Sequence, residues 1–236
     1  MGVSGQALAQ VTRLYGIAGG WHQIAFSALS HGDADRVIAA QAAHYRALGT
    51  SVEWAAYAHD GPSDLLARLA RHGFETGPRE AVVVLDGRVR RPWLDAPGPH
   101  RVEPVRSRGD LRAFAAAAET IFAADQTPVV RELEARLLEG SSQHVAYIGF
   151  SGGAVAAVGR LYTHPESQFG GLYGGGTLEA HRGRGLYRAM VARRALDAVG
   201  AGARYLRVDA LPTSQPILER LGFEVLTYLW PCVLVE

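Results

Sequence analysis

Ten residues, His181 to Met190, read HRGRGLYRAM and place three arginines and two glycines in one short stretch. Gly183 and Gly185 carry no Cβ, so backbone N–H groups can converge on one point at close range. A helical pattern follows directly, and the first N–H groups of a helix, with its positive dipole end, add to the same field. A phosphate or pyrophosphate suits such a turn, and Arg182, Arg184 and Arg188 would surround it with positive charge. The spacing alone also fits an ordinary helix entry with solvated arginines. Two other phosphate motifs are absent: no Gly-x-x-x-x-Gly-Lys-Ser/Thr occurs, and GLYGGGTLEA (171–180) is not Gly-x-Gly-x-x-Gly.

The turn needs a strand before it and a helix after it. QFGGLYGGGTL (168–178) reads as a glycine-heavy strand, and the helix runs to about residue 200. ARYLRVDALP (203–212) is then a strand and SQPILERLG (214–222) a short helix. EVLTYLWPCVLV (224–235) is a last strand or pair, with Pro231 arguing for an edge position or a bend. Upstream, 101–106 reads as a strand, and 109–122 and 129–140 as helices. HVAYIGF and AVAAVGRLYTH flank Ser151-Gly152-Gly153 as a hairpin.

RVRRPWLDAPGPH (88–100) has no period of either kind and reads as a linker, which predicts domains at 1–97 and 98–236. In the first, 5–17, 33–48 and 62–73 read as helices, and 51–59 and 79–87 as strands. DLLARLARHGFE (64–75) echoes QPILERLGFE (215–224), each between two strands, so the chain reads as two related halves or as a chance repeat.

The totals narrow the function classes. The 236 residues are 48% hydrophobic and 20% charged, an ordinary globular balance, and the net charge of +1 gives no global pull toward nucleic acid or a membrane surface. Cys232 is the sole cysteine and can form neither an internal disulfide nor a thiolate metal site. No secretory signal and no membrane span are visible, so a cytoplasmic location is expected. The histidines are scattered without metal-ligand spacing, and Asp33 in HGDAD (31–35) reads as a helix cap, so no metal is expected. Trp21, Trp54, Trp93 and Trp230 read as core or domain-interface residues, with an acceptor pocket as the alternative.

TLEAHRGRGLYRAMVARRAL, then YLRVDALP, then PILERLGFEV resemble the GNAT acyltransferase superfamily from residue 101 onward. Its Arg/Gln-x-x-Gly-x-Gly/Ala signature falls on Arg182, Gly185 and Tyr187, and its later Leu-Gly-Phe on Leu221, Gly222 and Phe223. The resemblance implies an α/β (α+β) fold: a mixed, mostly antiparallel sheet flanked by helices, with a degenerate half-copy at the N-terminus shaping the acceptor cleft. It also implies acetyl-CoA as cosubstrate and a small-molecule or peptide amine as acceptor; a homodimer stays open.

For the cofactor, the resemblance implies that Gly183, Arg184, Gly185, Leu186 and Tyr187 hold the pyrophosphate beside Arg182. Thr177 and Leu178 would pair through their backbone with the pantetheine arm, and an N–H near them would stabilise the oxyanion. Asp209, Tyr173 and His164 are the candidates for proton transfer, since the amine must be neutral to attack a thioester. Tyr187 stands where the signature prefers Gly or Ala. Leu218 stands where a thiolate-protonating Tyr is frequent, and Leu211 where an Asn is. The Leu218 position keeps a second reading in view, a non-catalytic acyl-CoA-binding sensor.

Overall fold

A computed structural model describes residues 4–15, 22–95 and 98–235. In chain order the first part holds β1 (Ser4–Ala7), β2 (Val11–Tyr15), β3 (His22–Ser27), α1 (Ala34–Ala47), β4 (Glu53–Tyr57), α2 (Leu65–Arg71) and β5 (Phe74–Thr76). Then come β6 (Glu80–Asp86), α3 (Pro92–Asp95), β7 (Val102–Pro104), α4 (Arg108–Phe122), α5 (Thr127–Leu138), β8 (His144–Ser151), β9 (Ala154–Thr163) and β10 (Phe169–Thr177). A 3-10 turn (Glu179–His181) leads to α6 (Leu186–Gly200), β11 (Tyr205–Ala210), α7 (Gln215–Arg220) and β12 (Glu224–Leu234). The architecture is the mixed, mostly antiparallel α/β arrangement expected.

Two compact units form, but not at the expected boundary. One holds the chain up to Val82 with Ala210–Gln215 and the last strand from Val225; the other holds Val83–Asp209 and Pro216–Glu224. The division falls near 82 rather than 98, and the described part of the expected linker is structured. Pro92–Asp95 coils into α3, and Trp93 Nε1 donates to the Leu221 carbonyl at 2.9 Å, within the second unit.

In the first unit the strands run β1–β2–β3–β4–β12, with β5 also on β12. The helix expected over 5–17 is instead a β-hairpin, Gln6 facing Arg13 and Ala7 facing Thr12, with Trp21 of that region outside the described residues. Val11, Thr12 and Tyr15 favour an extended chain, and Val11 and Arg13 alternate inward, which a short window confuses with a helical face. β12 is not an edge: β4 lies on one side (Pro231 opposite Ala55), and the Pro231 carbonyl accepts from the Gly77 amide at 2.7 Å on another. Around Trp54, Tyr45, Ile38, Leu69 and Phe74 the core closes, and Trp230 packs against it.

In the second unit β11–β10–β9–β8–β7 lie in order. The hairpin expected at Gly152-Gly153 forms, both residues at positive φ (59° and 85°), which a tight turn between twisted strands requires. Ser107 Oγ accepts from the Asp110 amide at 3.1 Å and Asp110 accepts from the Ser107 amide at 3.0 Å, a capping box that starts α4. Paired residues share a sheet face and alternate along each strand. Ala146, Ile148 and Val158 therefore pack with Leu111, Phe114 and Leu133 of α4 and α5 on one face. α6 covers the other, with Ala198 against Gly170.

Both units contain the same local sequence of elements. β3 and β4 are parallel with α1 between them (Ile24 opposite Trp54), as β10 and β11 are with α6 between them (Gly170 opposite Leu206). In each, a short helix follows with a fully buried leucine (Leu69, Leu218), then a positive-φ glycine (Gly73, Gly222) and a buried phenylalanine (Phe74, Phe223).

Candidate functional site

The turn singled out in the sequence is where the glycines are most needed. Gly183 has φ 74° and Gly185, at the N-cap position of α6, has φ 84°; side-chain-bearing residues adopt neither readily. A Cβ on Gly183 would meet nothing within 4 Å, and the residue is exposed. The amides of Gly183, Arg184, Gly185 and Leu186 find no acceptor among the described residues. His100 Nε2 donates to the Arg184 carbonyl at 2.6 Å, and Arg182 Nε donates to the Thr177 carbonyl at 3.2 Å. These bonds fix the loop from outside while its N–H groups stay clear. Leu186 is buried, anchoring the helix, whereas Arg182, Arg184 and Arg188 are exposed around the opening. Tyr187 turns inward, its ring 3.4 Å from where a Gly175 Cβ would stand.

Thr177 and Leu178 differ in what they can offer. The Leu178 amide already donates to the Ala156 carbonyl, and its own carbonyl accepts from His181. Leu178 therefore has no N–H to give a ligand, contrary to expectation. Thr177 lies opposite Ala157, at the alternate register position, so its N–H points away from β9. On that side β10 pairs with β11 only from Phe169 to Gly171, and beyond Gly171 and Arg207 no register is formed. The strands part there, leaving the Thr177 edge open. Thr177 Oγ1 is buried and without a hydrogen-bond partner, an orphan acceptor and donor at the mouth of this opening.

The run Gly174-Gly175-Gly176 sits where the β9–β10 register shifts between Tyr173 and Gly176. A Cβ on Gly174 would lie 3.0 Å from Arg160 Nε, and one on Gly175 2.8 Å from Arg194 Nη2. Two guanidinium groups thus pack on opposite faces of the bulge, in space that only glycine leaves. Arg194 is 1% exposed. Its Nη1 donates to the Tyr173 and Arg160 carbonyls, both at 3.1 Å, and its Nε to Met190. Complete burial pushes its pKa down to about 10, so it remains a cation at neutral pH.

Tyr173 and Asp209 fall on the same sheet face, because Gly171 pairs with Arg207 and side chains alternate from there. Tyr173 folds over Gly171, is 38% exposed and lines a small cavity with Arg160, Glu132, His144 and Tyr162. Asp209 is gripped by Arg207, with Nη2 3.0 Å and Nε 3.1 Å from Oδ1. Burial nonetheless raises its pKa above the ordinary carboxylate value, outweighing that cation. His164 is not brought to the site. It follows the last residue of β9, beside the start of β10, since Thr163 pairs with Gly170, and Thr177 is seven residues beyond Gly170, about 23 Å of strand. Leu218 is fully buried in the core. Among the described residues no group of side chains could hold a metal ion.

Sequence reasoning passed over Arg160 and Arg194. Arg194 was legible: it lies on the stripe Leu186, Met190, Arg194, Ala198, an arginine amid the buried positions of a helix. Arg160 carried no such signal, because an arginine at strand spacing reads equally as surface.

No protein-family model matches the sequence, and no curated protein does. Solved structures do. A GCN5-related N-acetyltransferase from Kribbella flavida superposes with a TM-score of 0.69 at 16% identity, over 100% of this chain and 90% of that one. A conserved protein of unknown function from Staphylococcus epidermidis gives 0.69 at 11% identity, over 98% and 93%. A tandem GNAT protein from the clavulanic acid biosynthesis pathway gives 0.60 at 14% identity, over 94% and 77%. With a glycine turn at the head of α6, a bulged strand before it and a sheet that parts beside it, this chain has the fold of the GCN5-related N-acetyltransferases.

Proposed function

We propose that the protein transfers an acetyl group from acetyl-CoA to a primary amine. The observation that carries this reading is the cradle of four amides, Gly183 to Leu186, at the N-terminus of α6, which find no acceptor among the described residues and are open to solvent at Gly183. Those amides, with Arg182 and Arg184 beside them, suit a pyrophosphate. The Thr177 N–H, on the edge left open where β10 and β11 part, suits an amide of the pantetheine arm. Bound there, acetyl-CoA supplies a thioester whose carbonyl carbon the neutral amine attacks, giving an amide and CoA thiol.

The chain's own part is proton handling and positioning. An alkylammonium has a pKa near 10.4, so a base must take its proton at pH 7. Asp209 is the base in this reading: it lies by the parting of the strands, and burial raises its proton affinity above that of an ordinary carboxylate. Tyr173 lines the acceptor side. Leu218 has no proton to give, so the departing thiolate takes one from water, which its good leaving ability tolerates. The first unit, with its β3–α1–β4–α2 order, is read as a degenerate half of the same fold.

One observation favours a second reading. Asp209 is held bidentately by Arg207 and no acid faces the site at Leu218, an arrangement that also suits an acyl-CoA sensor without turnover. Calorimetric titration with acetyl-CoA, followed by release of CoA thiol across a panel of amines, separates them. Micromolar binding with turnover supports the transferase; binding with no thiol released by any amine supports the sensor. No binding overturns both.

A further inference from the structure

We infer that the acceptor is an amine that also carries a carboxylate, and that Arg160 receives that carboxylate; the inference rests on the acetyltransferase reading above. Arg160 leaves β9 on the face it shares with Tyr173, directly opposite it in the register. Its guanidinium lies against the bulge, 3.0 Å (Nε) and 3.1 Å (Nη2) from the position a Gly174 Cβ would take. No carboxylate stands within ion-pair distance of it and no acceptor within hydrogen-bond distance, among the described residues. Burial already pulls its pKa down, so the cation sits in a costly place without a direct partner.

The cavity beside it is about 20 Å³, lined by Glu132, His144, Tyr162 and Tyr173 among others. That volume admits about one water-sized group, so only the tip of a ligand enters it. A guanidinium matches two coplanar oxygens. The nearest carboxylate, Glu132, pairs with His144 Nδ1 at 3.2 Å and acts on Arg160 only through space, beyond ion-pair distance, so the Arg160 guanidinium has no direct carboxylate partner among the described residues. An anion on Arg160 stands next to Tyr173, on the face that also presents Asp209, while α6 and the cradle serve the opposite face. An acceptor anchored there by its carboxylate would hold its amine by the parting strands.

The test uses matched pairs of small ligands, N-acetylglycine with N-acetylglycinamide and N-acetylalanine with N-acetylalaninamide, read by thermal shift on the full chain. Acetyl-CoA binding is measured on every variant. The acids raise the melting temperature more than the amides in the parent protein. Arg160→Gln removes the difference, Arg160→Lys keeps part of it, and Glu132→Gln enlarges it. Equal responses to acid and amide, or a difference that survives Arg160→Gln, overturns the carboxylate assignment while acetyl-CoA still binds. Failure to bind acetyl-CoA would instead sink the reading beneath it. Should Arg160→Gln fail to fold, the Lys and Glu132→Gln variants decide the matter by the same comparison.

Discussion

Arg194 Nη1 and the carbonyl of Tyr173 meet at 3.1 Å, a fully buried cation held by backbone oxygens and by no carboxylate among the described residues. The same nitrogen reaches the Arg160 carbonyl, so one α6 side chain ties both strands at the β10 bulge. Arg194→Met keeps the bulk but takes one buried donor away from each of those two strand carbonyls. Each such loss costs about 1–3 kcal/mol. We expect a stability loss of about 2–4 kcal/mol, with the melting temperature falling about 2–4 °C per kcal/mol in a chain of this size. Denaturant unfolding of the two proteins measures it; a variant as stable as the parent would show that the carbonyls do not need the arginine.

The cradle makes a sharper prediction for Gly185. Gly185→Glu puts bulk and negative charge where the free amides converge, at a position with φ 84°. Acetyl-CoA binding should be lost. The strained backbone alone could do damage, so the control is Gly152→Ala in the β8–β9 turn, also at positive φ (59°) and with nothing within 4 Å of the new Cβ. The control should cost some stability and keep its affinity. Loss of binding in both variants, or in neither, removes the cradle from the account.

Much of this was legible in the residues. HRGRGLYRAM declared its turn because Gly183 and Gly185 are needed at positive φ, and the SGG hairpin declared itself for the same reason. The strand QFGGLYGGGTL was visible, but not why it holds three glycines in a row. Gly174 and Gly175 make room for Arg160 and Arg194, and Gly176 for Ile121 of α4, whose Cγ2 lies 2.4 Å from a Cβ position there. Those neighbours come from distant parts of the chain, and no local pattern announces them. Likewise Leu178 looked equivalent to Thr177 until the register gave its amide to Ala156. The hairpin at residues 4–15 was missed because Arg13 is turned inward and paired with Gln41 at 2.8 Å, a partner 28 residues away.

For Asp209 the prediction concerns pH. Its pKa is raised by burial, so the ionised, base-competent form is lost as pH falls through a value above the ordinary 3.8. The acid limb of kcat should therefore lie above that value and vanish in Asp209→Asn, with kcat down about 10²–10⁴-fold and acetyl-CoA binding kept. The stability signature has the opposite sign. A raised folded pKa means the native state binds the proton more tightly, so this group favours folding increasingly as pH falls toward the ordinary value. The Asn variant should lack that gain. An unchanged kcat in Asp209→Asn would hand the proton to water or another group.

Glu132 titrates the other way. His144 Nδ1 at 3.2 Å holds its carboxyl below the ordinary 4.5, against the opposing pull of burial. Its contribution is full above that ordinary value and is lost as pH falls through the lower folded one. Glu132→Gln should cost about 0.5–1.5 kcal/mol at pH 7 and lose less stability than the parent on acidification. Chemical unfolding from pH 7 to pH 3 compares the two, and parallel curves would remove the His144 contact as the cause.

The last prediction is a stoichiometry of one acetyl-CoA per chain, although the chain builds the same helix entrance twice. At α1, the counterpart of α6 in the first unit, the N-cap position is Asp33 and not a glycine. Its Oδ1 accepts the Ser30 amide at 2.8 Å and its Oδ2 accepts Gln10 Nε2 at 2.6 Å, and the Ser30 bonds hold its pKa below the usual carboxylate range. Asp35 adds a second carboxylate in the first turn, committed to Arg68 and, at 3.1 Å, to His72. The helix dipole and one loop amide are thus already satisfied by an anion the chain carries itself, and a pyrophosphate there would meet two negative charges. At α6 the equivalent residues are Gly185 and neutral helix formers, and the amides stay open. Titration of the full chain should therefore saturate at one equivalent and be abolished, not halved, by Gly185→Glu. Two equivalents, or half the sites surviving in that variant, would mean that Asp33 does not close the first entrance.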